Sequence, residues 1–309
     1  MGADHPSLRR ILDDADLSRG VDRLVALNAQ DLTTVLLHLF DQRTASAVAG
    51  DVVSRSTGRF TLPSPVPADQ LAALRSAGFA ALDGFEPVEL APVVPLGTHA
   101  ALGGVDQNNV VSAVRGLELA ADPTVGLALE AVHRRRDLLA ADPRSNLSVR
   151  LAASQRITRA QQFDGARSFA HFELVAAVIA GRAGPGRTME AEAAVELLGP
   201  LCRWAAATTG ARVRLRLTDL EGRGDVIDRV ADELASETVA VEPWSERTAG
   251  RVYYQTLCFK IDVALDDEIV EVGDGGFVDW TARMLANRKE RLLTGAVSLE
   301  RLAMLSSSS

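Results

Sequence analysis

Three arginines surround a turn signal near the middle of the chain. Residues 156 to 174 read RITRAQQFDGARSFAHFEL, in which Arg156, Arg159 and Arg167 lie on either side of the turn sequence FDG. A guanidinium group matches phosphate oxygens through a planar fork of N–H donors, so arginines on such a hairpin could hold a polyphosphate and offset developing negative charge. The same residues could instead form the solvated face of a hairpin.

His171 lies in the alternating strand pattern that follows this turn. Such a strand suits a histidine that is packed or hydrogen-bonded within the fold, and it also suits a histidine that acts as a catalytic acid or base. The residue type and its position leave both interpretations open.

The segment ADPT, residues 121 to 124, also has two interpretations. Asp122 is a favourable N-cap and Pro123 a favourable first helical residue, so the start of a helix would explain both without any function. A carboxylate and a hydroxyl at a strand-to-helix junction, here Asp122 and Thr124, could instead bind the ammonium group of a substrate.

The chain has two tyrosines, Tyr253 and Tyr254, and they are adjacent on a predicted strand. The next strand leads into GDGG at residues 273 to 276, which could form a tight turn or let a ligand approach the backbone closely. A second glycine-rich segment, GRAGPGRT at residues 181 to 188, lacks the lysine of a phosphate-binding P-loop. We interpret it as a plain loop.

The elements that must position these residues follow from apolar spacing. Residues 1–57 carry apolar side chains three and four apart, which predicts a small N-terminal helical region. Three prolines in TLPSPVPADQ then indicate a boundary near residue 58. Strands and helices do not alternate regularly over residues 58–305, which predicts an α+β domain with a largely antiparallel sheet. The terminal serines, residues 306–309, predict a disordered tail.

Composition narrows the class of protein. Of the 309 residues, 47% are hydrophobic and 24% charged, and no apolar run approaches the ~18 residues of a membrane span. The first residues mix acids and arginines, unlike a secretory signal, so we expect a cytoplasmic protein with no membrane partner. The net charge of −8 argues against broad attraction to nucleic acid. Two distant cysteines, Cys202 and Cys258, indicate neither a disulfide framework nor a zinc site.

In this order the motifs resemble the catalytic domain of class II aminoacyl-tRNA synthetases, in particular histidyl-tRNA synthetase and the related regulatory subunit of ATP phosphoribosyltransferase. The resemblance covers about residues 65–305. The sequence LAALRSAGFAALDGFEPVELAPVVP is similar to motif 1, with Pro92 as the interface proline, and the arginine hairpin is similar to motif 2. The sequences AGRVYY, GGFVDWT and TGAVSLERL are similar to the family's RGLDYY, GGRYDG and the end of motif 3, GLERL.

The resemblance implies a class II synthetase-like antiparallel sheet flanked by helices, ATP and Mg²⁺ as cofactors, and a homodimer. It assigns Arg159 and Arg301 to catalysis through the phosphates of ATP, with Gln161, Arg167 and Phe169 as further ATP-binding residues. Its implied amino-acid pocket consists of Asp122, Thr124, His171, Tyr253, Tyr254, Gly275 and Gly276.

Two departures concern charged residues of the family. Gln161 takes the place of the usual motif 2 glutamate, and Ala249 takes the place of the arginine in RGLDYY. Arg247 or Arg251 could replace that arginine, and the sequence does not decide between them. A loss of the family's catalytic chemistry is therefore one reading of these changes.

Other departures concern the substrate. Val252 replaces the aspartate of RGLDYY, and Phe277 and Val278 replace the arginine and tyrosine of GGRYDG. An imidazole would lack polar partners beside these side chains, and a buried polar group without a partner costs about 1–3 kcal/mol. We expect the pocket to prefer a side chain less polar than that of histidine.

The sequence therefore predicts ATP-dependent activation of an amino acid or a related small carboxylic acid as an acyl-adenylate. No anticodon-binding domain follows Leu305, so we expect the acyl acceptor to be a carrier protein or a small molecule and not tRNA. The alternative is a catalytically idle paralogue that acts as a regulatory subunit.

Overall fold

A computed structural model describes residues 10, 12–13, 15–161, 168–248, 250, 253–265 and 268–306. The chain divides into two compact units. The first unit consists of Met1–Pro63, Val93–Ala121 and Thr158–His171, and the second of Ser64–Pro92, Asp122–Ile157 and Phe172–Ser309. The first unit thus joins the N-terminal region to two later segments, while the division into residues 1–57, 58–305 and 306–309 stays a prediction.

The α-helices of the described residues differ widely in length. They are α1 (Ala15–Val25), α2 (Ala29–Thr44), α3 (Ala49–Arg55), α4 (Ala68–Ala81), α5 (Thr98–Gly103), α6 (Pro123–Ala141), α7 (Thr188–Thr209), α8 (Asp225–Leu234), α9 (Trp280–Met284) and α10 (Leu299–Ser306). Within α2 and α3, whose residues are all described, none is buried.

The β-strands of the described residues form two sheets. They are β1 (Glu86–Pro87), β2 (Val93–Pro95), β3 (Ser112–Ala113), β4 (Leu117–Leu119), β5 (Val149–Thr158), β6 (His171–Arg182), β7 (Arg212–Asp219), β8 (Val239–Pro243), β9 (Tyr254–Leu265), β10 (Glu268–Val278) and β11 (Glu290–Ser298). The large sheet has the order β1-β5-β6-β11-β10-β9-β7-β8, and the small one the order β2-β4-β3.

The large sheet is mainly antiparallel in its centre. Strand β11 pairs antiparallel with both β6 and β10, and β9 pairs antiparallel with both β10 and β7. Parallel pairs lie at its two ends, between β1 and β5 and between β7 and β8. The prediction of an α+β class with a largely antiparallel sheet flanked by helices is confirmed.

Helix α7 forms the centre of the core. Its apolar residues, among them Leu197 and Leu201, pack with the side chains of the sheet strands and of α10 in one hydrophobic cluster. Gly78 in α4 lets Trp204 of α7 approach, because a Cβ at Gly78 would lie 3.0 Å from the Trp204 ring. The sheet therefore packs against a helical layer that includes α4, α7 and α10.

Helix α6 is fixed to the sheet by a buried ion pair. The guanidinium of Arg135 donates from Nε and Nη2 to the two carboxylate oxygens of Glu290 in β11, both at 2.8 Å. Neither side chain is exposed, and removing one partner of a buried pair typically costs about 3–5 kcal/mol. The first turn of α6, which carries Asp122 and Thr124, thus starts from an anchored helix. Among the helices that the structure describes, none is long and apolar enough to cross a membrane.

Candidate active site

Asp122 caps the start of α6. Its backbone is extended, and its Oδ1 accepts hydrogen bonds from the amide of Thr124 at 2.9 Å and from the hydroxyl of Thr124 at 2.7 Å. The helix-start interpretation is therefore confirmed. A carboxylate has about four lone-pair positions, so this cap is compatible with substrate binding, which stays a prediction for both residues.

The two tyrosines stand at the beginning of β9. Their ring centroids are 4.3 Å apart, and Tyr254 is opposite Val278 of β10. A Cβ at Gly276 would lie 2.7 Å from the Tyr254 ring, and a Cβ at Gly275 would lie 2.5 Å from the ring of Phe259. These glycines make room for aromatic rings of the chain itself, and their contact with a ligand stays a prediction.

Phe277 does not lie where we expected it. Its side chain is 1% exposed and belongs to the hydrophobic core cluster, together with Leu293 and Phe259. Successive side chains of a strand point to opposite faces of the sheet, so Phe277 and its neighbour Val278 cannot both line one pocket. The expectation of a pocket lined by both apolar residues is wrong for Phe277.

A charged side chain, that of Arg247, lies next to the tyrosines. Arg247 is 1% exposed and donates from Nη1 to the carbonyl of Phe259 at 2.8 Å and from Nη2 to Oδ1 of Asp274 at 2.9 Å. Its guanidinium carbon is 5.1 Å from the centroid of the Tyr254 ring. Arg247 therefore supplies an arginine beside the tyrosines, while Arg251 and Ala249 lie outside the described residues.

Asp274 joins this arginine to a lysine that our reading of the sequence did not select. Lys260 of β9 donates from Nζ to Oδ2 of Asp274 at 2.9 Å and lies 2.8 Å from Oε1 of Glu271. Lys260 is one of two lysines in a chain otherwise rich in arginine, and that rarity was the one available signal. Cations and carboxylates alternate here across neighbouring strands.

Arg301 extends the same charged group. The first turn of α10 places its Nη1 at 2.7 Å from the carbonyl oxygen of Glu271, to which it donates, and 3.9 Å from Oε1 of Glu271. The side chain is about one-third exposed. Glu271 thus stands between Arg301 and Lys260, and the role of Arg301 in ATP binding stays a prediction.

Charged residues from three distant parts of the sequence act on the pKa of Tyr253. Burial raises the pKa of the Tyr253 hydroxyl, and the negative charges of Asp274 and Asp122 raise this pKa further. Burial also raises the pKa of Tyr254 well above its ordinary value, again with Asp274 as a contributor. Both tyrosines therefore remain neutral hydrogen-bonding groups in the field of Asp274 and Arg247, and Tyr253 is also in the field of Asp122.

Arg156 has a structural partner. Its Nη2 donates to Oε1 of Glu300 at 2.9 Å, and Oε2 of Glu300 accepts from the amide of Glu173 at 2.8 Å. Glu173 also receives a fork of hydrogen bonds from Arg75 at 2.6 and 3.0 Å. Arg156 and Arg75 therefore stabilise two buried glutamates.

In the first unit, Arg159 follows directly after β5. Its amide donates to the carbonyl of Ala170 at 2.7 Å, and its Nε donates to the carbonyl of Ala121 at 3.0 Å. The carbonyl of Gln161 accepts from Nη1 of Arg59 at 2.8 Å. Both backbone and side chain of the predicted phosphate ligand are thus fixed.

The other hairpin residues have different outcomes. Nε2 of His171 is 2.7 Å from the carbonyl of Leu62, to which it can only donate, so the hydrogen-bonding interpretation of this histidine is confirmed. Phe169 is half-buried, and Arg167 lies outside the described residues. Binding of ATP or substrate by any of the three stays a prediction. In the part of the chain that the structure describes, no group of three or more His, Cys, Asp or Glu residues could hold a metal ion.

The similarities of the chain lie in its three-dimensional structure. No protein-family model and no curated protein matches the sequence. An ATP phosphoribosyltransferase regulatory subunit/histidyl-tRNA synthetase from Bacillus halodurans superposes with a TM-score of 0.60 at 13% identity, over 79% of this chain and 81% of that chain. The chain has the class II aminoacyl-tRNA synthetase fold.

Two further structures have this class II fold. The apo histidyl-tRNA synthetase of S. aureus gives a TM-score of 0.58 at 12% identity, over 79% of this chain and 68% of that chain. A histidine–tRNA ligase subunit from Alicyclobacillus acidocaldarius gives 0.59 at 14% identity, over 80% of this chain and 95% of that chain. The predicted resemblance is confirmed for the fold, and identities this low carry no residue roles with them.

Proposed function

We propose that the protein uses ATP to activate an amino acid, or a related small carboxylic acid, as its acyl-adenylate. The observation that carries the proposal is the contact of Tyr253 with Tyr254 and of Tyr254 with the Arg247–Asp274 pair in the second unit, where the charge of Asp122 also acts on Tyr253. Opposite charges and neutral hydroxyl groups at one place suit a zwitterionic substrate. A fold shared with amino-acid-activating enzymes supports this reading by analogy.

In the proposed reaction an oxygen of the substrate carboxylate attacks the α-phosphorus of ATP. The bond from this phosphorus to the bridging oxygen of the β-phosphate breaks, and its electron pair leaves with pyrophosphate. The carboxylate is ionised at neutral pH, so no general base is required. Catalysis then depends on positioning and on stabilisation of charge.

Arg159 and Arg301 are the proposed ligands of the phosphates. A guanidinium retains its charge and presents paired N–H donors to phosphate oxygens. Arg301 would exchange its hydrogen bond with the carbonyl of Glu271 for one to ATP. Mg²⁺ would neutralise phosphate charge, and it needs only one or two protein carboxylates beside the phosphates themselves.

The proposed roles in the amino-acid pocket are supported by the contacts of each residue. Asp122 would accept hydrogen bonds from the substrate ammonium group, with Thr124 keeping the carboxylate in place. Tyr253 and Tyr254 would form the wall of the pocket. Arg247, restrained by Asp274 and by the carbonyl of Phe259, would face the substrate carboxylate as a preorganised cation.

The proposed acceptor of the acyl group is a carrier protein or a small molecule. The net charge of −8 opposes the non-specific attraction to phosphate backbones that assists tRNA binding. A second copy of the chain is the proposed partner, because motif 1 carries apolar residues that a dimer interface would cover.

A regulatory subunit without catalysis is the second candidate. The engagement of Arg301 with Glu271 favours it, because the terminal Nη1 donor of Arg301 must be released from this contact before it can bind ATP. Gln161 in the place of a glutamate points in the same direction. One of the similar structures is described as an ATP phosphoribosyltransferase regulatory subunit/histidyl-tRNA synthetase, which is compatible with either candidate.

Calorimetric titration separates the two candidates. The wild-type protein is titrated with ATP and Mg²⁺, then with each of the twenty amino acids in the presence of ATP, and the mixtures are analysed for acyl-adenylate by mass spectrometry. The proposal predicts ATP binding and one adenylate. Absence of ATP binding, with retained binding of an amino acid, would contradict the enzyme and favour the regulatory subunit.

A further inference from the structure

A histidine and a glutamate form a fully buried pair in the first unit. His99 belongs to α5 and Glu118 to β4, and their exposed fractions are 2% and 0%. Nδ1 of His99 lies 2.7 Å from Oε1 of Glu118. Neither residue belongs to the proposed catalytic group, so the pair requires another explanation.

The surroundings fix the proton on this histidine. The amide of Ala121 donates to Nε2 of His99 at 3.0 Å, so Nε2 must be an unprotonated acceptor. The ring proton is therefore on Nδ1, which donates to Glu118. His99 is thus held as one neutral tautomer with both nitrogens in use.

Glu118 is the charged acceptor for the Nδ1 proton of His99. Its carboxylate also accepts from the amides of Gly97 and His99 and from Nε2 of Gln107, each at 2.9 Å. Burial alone would raise the pKa of Glu118, but these hydrogen bonds to the charged form lower it to about 2. The acceptor therefore remains ionised under ordinary conditions.

The other end of the arrangement reaches Arg159. The carbonyl of Ala121, the residue whose amide is bound by His99, accepts from Nε of Arg159 at 3.0 Å. Hydrogen bonds therefore fix both backbone groups of Ala121, its N–H to His99 and its C=O to Arg159, and the two groups are joined through the Cα of this residue. Within the pair, His99 and Glu118 restrict each other to one orientation, and the bond from the Ala121 amide to His99 holds the backbone that carries the acceptor of Arg159.

We infer that His99 is a positioning residue that orients the guanidinium of Arg159 through the backbone of Ala121. The inference rests on the proposed function only in giving Arg159 a phosphate of ATP to bind. The orientation of Arg159 itself is a property of the protein without ligand, and it can be measured without any assumption about activity.

Two substitutions separate the orienting role of His99 from its bulk. In His99→Gln the side-chain oxygen reaches the position of Nε2 and can still accept from Ala121. In His99→Asn the shorter side chain reaches only the position of Nδ1, so the amide of Ala121 loses its acceptor. His133→Asn changes an exposed histidine of α6 and serves as the matched control.

The primary measurement is hydrogen exchange of the Arg159 Nε–H in ¹⁵N-arginine-labelled, full-length protein without ATP. The signal is assigned with Arg159→Lys. We expect exchange about tenfold faster in His99→Asn, the equivalent of one weakened hydrogen bond, and rates close to wild type in His99→Gln and His133→Asn. Equal rates in His99→Asn and wild type would overturn the inference, whether or not the protein binds ATP.

A measurement on the wild type keeps the test decisive if His99→Asn does not fold. The imidazole ¹⁵N shifts of His99 must show a proton on Nδ1 and none on Nε2. The opposite tautomer would overturn the inference. If ATP binds, the KM for ATP should rise about tenfold in His99→Asn, and the KM for the amino acid should stay unchanged. A failure of the wild-type protein to bind ATP would contradict the proposed function. The hydrogen-exchange result would still support the orienting role of His99 in that case.

Discussion

Lys260 and Asp274 are opposite each other on β9 and β10, with Nζ of the lysine 2.9 Å from Oδ2 of the aspartate. Asp274 also accepts from Arg247 at 2.9 Å. One carboxylate therefore holds two cations that are almost fully buried. This relationship makes Asp274 the central residue of the candidate site.

Asp274→Asn should destabilise the protein by about 1–3 kcal/mol, because a neutral amide removes the carboxylate that pairs with the buried Arg247 and leaves Lys260 with Glu271 as its counter-charge. We expect the loss of unfolding free energy to be smaller than for a fully buried pair, because the Asp274 side chain is 35% exposed. Urea unfolding measures the change. Asp279→Asn is the control, because the Asp279 side chain is similarly exposed at 34% and its ion pair with the exposed Arg283 is longer, at 3.6 Å. A loss no larger than in the control would contradict the prediction.

Gly276→Ala should destabilise the protein by about 1–3 kcal/mol, the usual cost of an added methyl group in a filled site. The new Cβ would lie 2.7 Å from both the Tyr254 ring and the carbonyl of Leu257. Gly20→Ala in α1 has no atom within 4 Å of the new Cβ and should be neutral or stabilising. Thermal unfolding and near-ultraviolet circular dichroism of the tyrosines report the difference. Equal melting temperatures in the two variants would disprove the close packing.

Glu118 should make the stability of the protein depend on acid pH. Burial opposes ionisation, but the hydrogen bonds from His99, Gln107 and Gly97 lower the pKa of Glu118 from 4.5 to about 2. The contribution of the carboxylate is complete above about pH 4.5 and is lost as the pH falls toward 2. Glu118→Gln should therefore reduce the slope of unfolding free energy against pH between 5 and 3.

The control for this pH dependence is Glu246→Gln, which changes an exposed carboxylate. Its slope should match that of the wild type. A Glu118→Gln protein that unfolds with the wild-type slope would show that Glu118 does not carry this linkage.

Arg59→Ala should loosen the start of the arginine hairpin. Arg59 donates to the carbonyls of both Ala160 and Gln161, the two residues that follow Arg159. Amide exchange around residue 160 should become about tenfold faster, as expected for the loss of charge-assisted hydrogen bonds at an exposed site. Arg55→Ala removes an exposed arginine of α3 and should leave exchange unchanged. The prediction fails if the two variants exchange alike.

The fold could be predicted because its motifs occur in a fixed order. The tyrosine strand, the glycine strand and the sequence SLERL become β9, β10 and the β11–α10 junction. Each of these strands carries apolar residues, which a sheet needs in order to pack against helices. The order of the motifs was therefore sufficient for the fold class, whereas the order of the strands within the sheet was not predicted.

The charged group could not be predicted in the same way, because its pairing depends on register. A bulge between Glu271 and Gly273 shifts β10 against β9 and sets Asp274 opposite Lys260. The alternation of apolar and polar residues along a strand does not reveal where such a shift in register occurs. Likewise, nothing near His99 in the sequence indicates that Glu118 and Ala121 are its partners.

Phe277 shows the limit of reasoning from aligned motifs. It occupies the position of a polar family residue, yet its ring packs in the core. A motif aligns residue types along a strand, whereas the face of the sheet depends on bulges and register. Asp274, Arg247 and Lys260 make the candidate site more polar than the sequence alone suggested, and we therefore propose a more polar substrate.

Amino-acid-dependent exchange between ATP and labelled pyrophosphate tests the central proposal most directly. The account predicts exchange with one or a few amino acids, reduced by about 10²–10³ in Arg159→Ala and in Arg301→Ala, the usual effect of removing one donor that stabilises transition-state charge. Arg136→Ala, at an exposed position of α6, should catalyse ATP–pyrophosphate exchange at the wild-type rate. Absence of exchange with every amino acid, or exchange that neither arginine variant reduces, would contradict the account.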